Sequence, residues 1–234
     1  MSGSSPAHNF DLFGWSPSPD LSDDENYMDI VFLITRSSNK NGQQGHMGSL
    51  IVRPSHPSTI EATNGTGNNA TTDLETQEDY RQRIFSNILG AATNTPLFGT
   101  KEVTSDIHAE ISALGQACQA SQSTTGCTAY ITIPPCKRCF AALVAFGIRR
   151  IVTRQDSPRE IRETGAQHGM EILSLTREQN RHQMKRINQL VNPHLNDDEL
   201  MKIAEYNKLQ RQERKNRTKN NKVDNNDDAT ASVV

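Results

Sequence analysis

Between Tyr27 and Val191 the chain alternates short apolar runs with longer amphipathic stretches, and this alternation narrows its fold more than any other feature. A short apolar run closed by Gly or Pro at both ends reads as a strand. The clearest case is Cys127–Ile133 (CTAYITI), bounded by Gly126 and Pro134-Pro135. The segment after it, Cys136 to Phe146, has Pro135 near its first turn and Gly147 as its stop, which are helix-boundary signals. Further strands are expected at His46–Arg53, Ile84–Ala92, Ile148–Thr153 and Met170–Leu175. Helices are expected at Asn26–Ser37, where Tyr27, Ile30, Val31, Leu33 and Ile34 share one face, and at Ile107–Ala120, Ser157–His168 and Arg177–Leu190. Asn26 and Asp106 are the expected caps of the first two. Strands that alternate with helices imply α/β layering. Two strands before the first inner helix imply an antiparallel edge on a mixed sheet.

The flanks differ from this middle. Residues 1–24, rich in Ser, Pro and Asp, are expected to be a disordered N-terminal tail, with Ser16-Pro-Ser-Pro as a phosphorylation motif. Residues 54–80 are expected to be a flexible insertion that loops out between two strands. Residues 193–234 are expected to form a charged helix that decays into a disordered tail, leaving 25–192 as the packed domain. A mean hydropathy of −0.68 fits this division better than a chain packed end to end. The net charge of −2 argues against a uniformly basic nucleic-acid binder. No secretion signal or membrane span is expected. Four cysteines, two of them as Cys136-x-x-Cys139, suggest a reducing compartment, cytoplasmic or nuclear, and a metal or redox site rather than a disulfide framework. The glycosylation patterns at Asn64, Asn69 and Asn216 then read as chance matches in Asn-rich loops.

The chemistry-bearing residues are His108-Ala109-Glu110 and Pro135-Cys136-x-x-Cys139. Two thiolates and one imidazole neutralise Zn²⁺ and leave a fourth tetrahedral position open, as catalytic zinc sites require. A carboxylate must then carry protons, and Glu110 is the candidate. Mid-helix, His108 and Glu110 would point in different directions. At a first turn both can reach a site beyond the helix N-terminus. The expected arrangement is therefore two helix N-termini, each following a strand, converging on one metal. Two readings compete with it: a thioredoxin-like redox pair, and a structural zinc closed by a fourth protein ligand. Only Cys118 and Cys127 could close such a site, and both read as core residues.

His-x-Glu opening one helix and Pro-Cys-x-x-Cys opening the next is the signature of zinc deaminases. The segments Asp106-Ile-His-Ala-Glu-Ile-Ser-Ala-Leu and Ala129 to Val152 resemble the cytidine/deoxycytidylate deaminase superfamily, over roughly Tyr27 to Leu175. That resemblance implies a three-layer α/β/α fold with a central five-stranded mixed sheet, one catalytic zinc per chain held by His108, Cys136 and Cys139, and a homo-oligomer. Among its branches, the deoxycytidylate deaminases are most similar, through Asn94-Thr95-Pro96 and Tyr130 to Ala141. By this resemblance Asn94 binds the substrate sugar and Ala109 offers its backbone N–H to the base. Ser112, Thr95 and the 54–80 insertion depart from the pattern.

The resemblance implies hydrolytic removal of an exocyclic amine, with dCMP to dUMP as the first reading. Glu110 would take a proton from water and deliver protons to the ring nitrogen and the leaving ammonia. A tRNA wobble adenosine deaminase, with tRNA as partner and a basic tail at Arg211–Lys222, is the second reading. A non-catalytic zinc-binding subunit is the third, and Glu110 argues against it. A nucleotide substrate calls for a cation near the site. Arg53, Arg83, Lys101, Lys137 and Arg138 all qualify, and spacing singles out none of them.

Overall fold

The structure, a computed structural model, describes residues 5–40, 47–54, 76–95, 97 and 107–196, together with positions 198, 199, 201, 202, 205, 209 and 212. The chain divides into two compact units, residues 1–191 and 192–234. In the second unit, Asn196 and Glu199 exchange backbone-to-side-chain hydrogen bonds of 3.0 Å each, a local helix-start arrangement. The first unit contains α1 (Asp23–Lys40), β1 (Gly48–Val52), α2 (Gln77–Ser86), β2 (Ile88–Thr93), α3 (Ala109–Gln119), β3 (Thr128–Ile131), α4 (Lys137–Ala145), β4 (Arg150–Thr153), α5 (Arg159–Gln167), β5 (Glu171–Ser174) and α6 (Arg177–Val191). No described helix is long and apolar enough to cross a membrane.

The five strands form one sheet in the order β2-β1-β3-β4-β5. β1 runs antiparallel to β2 and β3, while β3, β4 and β5 are parallel. Successive side chains on a strand face opposite ways, and the core divides accordingly. Leu50, Val52, Tyr130 and Val152 pack with Ile30, Val31 and Ile34 of α1, Tyr80 and Ile84 of α2, and Ile187 of α6. Ile51, Ala129, Ile131 and Ile151 pack with Ala113, Leu114 and Ala117 of α3, Phe140 and Leu143 of α4, and Ile161 of α5. The mixed sheet between two helical layers is the expected fold. One ion cluster also ties α1 to the sheet. Asp24 takes both arms of the Arg150 guanidinium at 2.6 Å each and the Tyr130 hydroxyl at 2.7 Å. Burial alone would push the Asp24 carboxyl up, but Arg150 and Tyr130 outweigh it and hold the pKa below the usual value.

Three expectations need correction. The 54–80 insertion is not loop to its end: Thr76 caps α2 in a reciprocal box with Asp79, and Tyr80, Ile84 and Phe85 form the buried face of that helix. The strand expected from Ile84 therefore starts at Ile88. The Thr76-x-x-Asp79 signal was in the sequence, hidden within an acidic run that reads as solvated. Residues 55–75 lie outside the described residues, as does Asp106. Asn26 is also not a cap. α1 starts at Asp23, and the buried Asn26 amide instead bonds the Ser18 backbone and the Tyr80 hydroxyl.

The third correction concerns the N-terminus. Residues 5–22 pack on the domain where composition predicts a disordered tail. Trp15 is buried and donates its indole N–H to Asp29 at 3.4 Å. The Asp11 N–H donates to Ser37 Oγ at 2.8 Å, and Gln77 donates to the Pro17 carbonyl at 2.6 Å. Polar average composition conceals four apolar anchors, Phe10, Leu12, Phe13 and Trp15, which join the core.

One glycine sets how closely α3 approaches the sheet. A Cβ on Gly90 of β2 would overlap the carbonyl oxygen of Ala113. The obstacle is backbone, so it cannot rotate away. Gly90→Ala is expected to lower stability by about 1–3 kcal/mol, read from denaturant unfolding. Unchanged stability would show that α3 can shift at no cost.

Candidate active site

β2 and β3 both run antiparallel to β1, so their C-terminal ends lie at the same sheet edge. α3 and α4 start beyond that edge. His108 is the N-cap of α3 and Cys136 the N-cap of α4. An N-cap residue has extended backbone and stands at the mouth of its helix, so each side chain can turn toward the other. His108 makes no side-chain capping bond. Its Nδ1 lies 3.3 Å from Cys139 Sγ and 3.8 Å from Cys136 Sγ. The three donor atoms all lie within 4.8 Å of one another.

These separations fit a tetrahedral zinc. With Zn–S about 2.3 Å and Zn–N about 2.0 Å, neighbouring donors stand roughly 3.5–3.8 Å apart. The Cys139 N–H donates to Cys136 Sγ at 3.5 Å, which ties the second cysteine's backbone to the first one's sulfur. Burial pushes the Cys139 thiol up, and the Glu110 carboxylate and Cys136 sulfur push it further. A cation bound among these groups would offset that mutual repulsion. Cys118 is exposed, and neither it nor Cys127 belongs to the donor cluster, so no fourth protein ligand closes the site among the described residues.

Glu110 follows at the second position of α3 and is fully buried. Neither carboxylate oxygen accepts a conventional hydrogen bond. Burial raises its pKa, against weaker lowering by its own backbone N–H, the His108 imidazole and the Cys139 thiol. A buried acid without a strong partner destabilises the fold, which is the usual mark of a group retained for chemistry.

The two expected substrate contacts meet each other. Asn94 Oδ1 accepts the Ala109 N–H at 3.1 Å, and both residues are buried. The Ala109 donor expected to face the base is therefore engaged by Asn94. Asn94 does for α3 what the His108 side chain cannot, satisfying a first-turn N–H.

A cavity of about 480 Å³ opens over the donors, lined by Ile107, His108, Ile111, Cys136, Arg138 and Cys139. Ile107 and Ile111 were not foreseen. The only signal was their spacing of four residues across the His-x-Glu motif, which places both beside the helix start. Of the five candidate cations, Lys137 pairs with Glu160 at 2.7 Å, Arg83 pairs with Asp23 at 2.9 Å, and Arg53 bonds Gln122. Lys101 lies outside the described residues.

The profile of one protein family, described as "Cytidine and deoxycytidylate deaminase zinc-binding region", matches residues 21–155. None of the curated proteins compared with the chain matches it. Among solved structures, the apo dCMP deaminase of cyanophage S-TIM5 is 20% identical with a TM-score of 0.44, covering 68% of this chain and 100% of its own. NE0047 in complex with 2,6-diaminopurine is 18% identical with a TM-score of 0.44, covering 72% of this chain and 82% of its own. A structure from work on A-to-I editing by tRNA:A34 deaminases is 18% identical with a TM-score of 0.39, covering 66% of this chain and 100% of its own. Likenesses this distant leave the substrate open.

Proposed function

The chain belongs to the cytidine and deoxycytidylate deaminase family of zinc-dependent hydrolytic deaminases, and we propose that it removes the exocyclic amine of a cytosine nucleotide, converting dCMP to dUMP with release of ammonia. One observation carries the reading: a buried carboxylate, Glu110, stands behind a three-donor cluster that opens to a cavity. His108, Cys136 and Cys139 would hold the zinc. Bound there, zinc supplies Lewis-acid polarisation and lowers the pKa of a water in its open position. Glu110 then acts as the proton carrier. It takes the proton of the water that attacks C4, passes it to N3 of the base, and moves the second proton to the departing ammonia. Its buried setting keeps bulk water from competing for those protons.

One resemblance supports the cytosine nucleotide, the cavity has room for it, and Asn94 orders the catalytic groups. Tyr130 to Ala141 and Asn94-Thr95-Pro96 resemble the deoxycytidylate deaminase pattern. The cavity is of ordinary small-ligand size. Asn94, by holding the start of α3, keeps His108 and Glu110 in register with α4. We assign Asn94 this positioning role together with the sugar contact that the resemblance implies.

The test is ammonia release from the zinc-loaded full chain with dCMP, cytidine, cytosine, guanine and a tRNA carrying adenosine at position 34. Turnover of dCMP at least 10-fold above every other compound, in kcat/KM, is the expected result. Preferred turnover of the tRNA would replace the substrate while leaving the roles of the residues intact. Ammonia from none of them, at full zinc occupancy, would remove the cytosine reading altogether.

A further inference from the structure

We infer that Arg138 sets substrate choice by binding the phosphate monoester of the nucleotide, an assignment that rests on the cytosine-nucleotide reading above. The argument begins with what the other cations are doing. Lys137, the neighbour of Arg138 on the same turn of α4, is held by Glu160 at 2.7 Å. Arg83 belongs to α2 and is held by Asp23 while its guanidinium lies 4.8 Å over the Tyr80 ring. Arg53, just past β1, is bonded to Gln122 beyond the far end of α3. Arg138 alone among these lines the cavity that holds the three donors, and it has no ion pair among the described residues.

The rest of the lining fixes what that cation can meet. Ile107 and Ile111 are apolar, and the other three positions are the zinc donors. Among the described residues, no carboxylate lines the cavity to neutralise the guanidinium. A substrate that fills this space places its base at the donors. Its far end then meets one positive fork and an apolar wall. A neutral sugar leaves the guanidinium with water as its only partner, whereas a phosphate receives two parallel N–H donors from it. The position adds to this, because Arg138 sits in the first turn of α4, where the partial positive charge of the helix also favours an anion. Planar, permanently charged and forked, arginine suits a terminal phosphate better than lysine does.

The experiment uses the zinc-loaded full chain and three cytosine compounds: deoxycytidine, dCMP, and a dinucleotide whose phosphate is an internal diester. Arg138→Ala is expected to cut the preference for dCMP over deoxycytidine by about 10- to 100-fold, the range of a charge-assisted hydrogen bond. Arg138→Lys recovers part of that preference, and Lys137→Ala leaves it unchanged. A second readout needs no turnover. Calorimetric binding of dUMP weakens by the same factor in Arg138→Ala, while binding of deoxyuridine does not follow it. An unchanged dCMP preference in Arg138→Ala, or an equal loss in Lys137→Ala, overturns the assignment. An equal loss on the diester shows that a polynucleotide backbone is the partner and overturns the mononucleotide. Failure of the cytosine reading looks different: no cytosine compound is turned over, and the dUMP measurement still decides the role of Arg138.

Discussion

Glu110→Gln is expected to retain a full equivalent of zinc and to lose about 10²–10⁴-fold in kcat. The two halves of this result have separate causes. Glutamine keeps the size and shape of glutamate, so the first turn of α3 stays in place and His108 keeps its approach to the two sulfurs at 3.3 and 3.8 Å. What is lost is the ability to accept and return a proton, and no other acid among the described residues stands at that position. Stability should not fall with activity. The Glu110 carboxylate is fully buried and accepts no conventional hydrogen bond, so a neutral amide in its place removes a desolvation penalty. A structural role for Glu110 predicts the reverse, lower stability and looser zinc. Metal analysis, initial rates with dCMP and denaturant unfolding on one preparation separate the two. Retained turnover in the variant would end the proton-carrier assignment.

Much of this candidate site is legible in the sequence, and for a local reason. His108, Glu110, Cys136 and Cys139 sit on two short motifs whose neighbours punctuate strand-to-helix turns: Pro134 and Pro135 before α4, and Gly147 after it. Turn chemistry of this sort acts within a few residues, so sequence order carries it. The sheet was legible for a similar reason, since a strand is a short apolar run closed by turn residues, as at Thr128–Ile131 between Gly126 and Pro134. What stayed hidden depended on partners far along the chain. Trp15 finds Asp29, Gln77 finds the Pro17 carbonyl, and Asn94 finds the Ala109 N–H, and none of these pairings has a fixed spacing. The separate surroundings of the four described cations, Arg53, Arg83, Lys137 and Arg138, stayed hidden for the same reason. Lys137 and Arg138 are adjacent in sequence, yet one is paired to α5 and the other lines the cavity.

Cys139→Ala is expected to abolish both zinc binding and turnover, and to do so more completely than loss of any group outside the donor set. Three donors are the fewest that hold a catalytic zinc, so two cannot keep it at protein concentration. Cys139 is also the donor nearest His108, and it is buried where Cys136 is exposed. With its sulfur gone, Cys136 and His108 are left 3.8 Å apart with no third group to complete a face. The decisive readout is the response to a chelator. In the natural protein a metal that binds only the folded state raises the unfolding temperature, and chelation should lower it. In Cys139→Ala the unfolding temperature should be the same with and without chelator, because nothing remains to be removed. Alanine fills less of the buried space, so some loss of stability from packing is expected as well. That loss is independent of chelator, which keeps the two effects apart. A Cys139→Ala protein that still binds zinc stoichiometrically would mean that the donors are not those that converge between α3 and α4, and the site would have to be sought elsewhere.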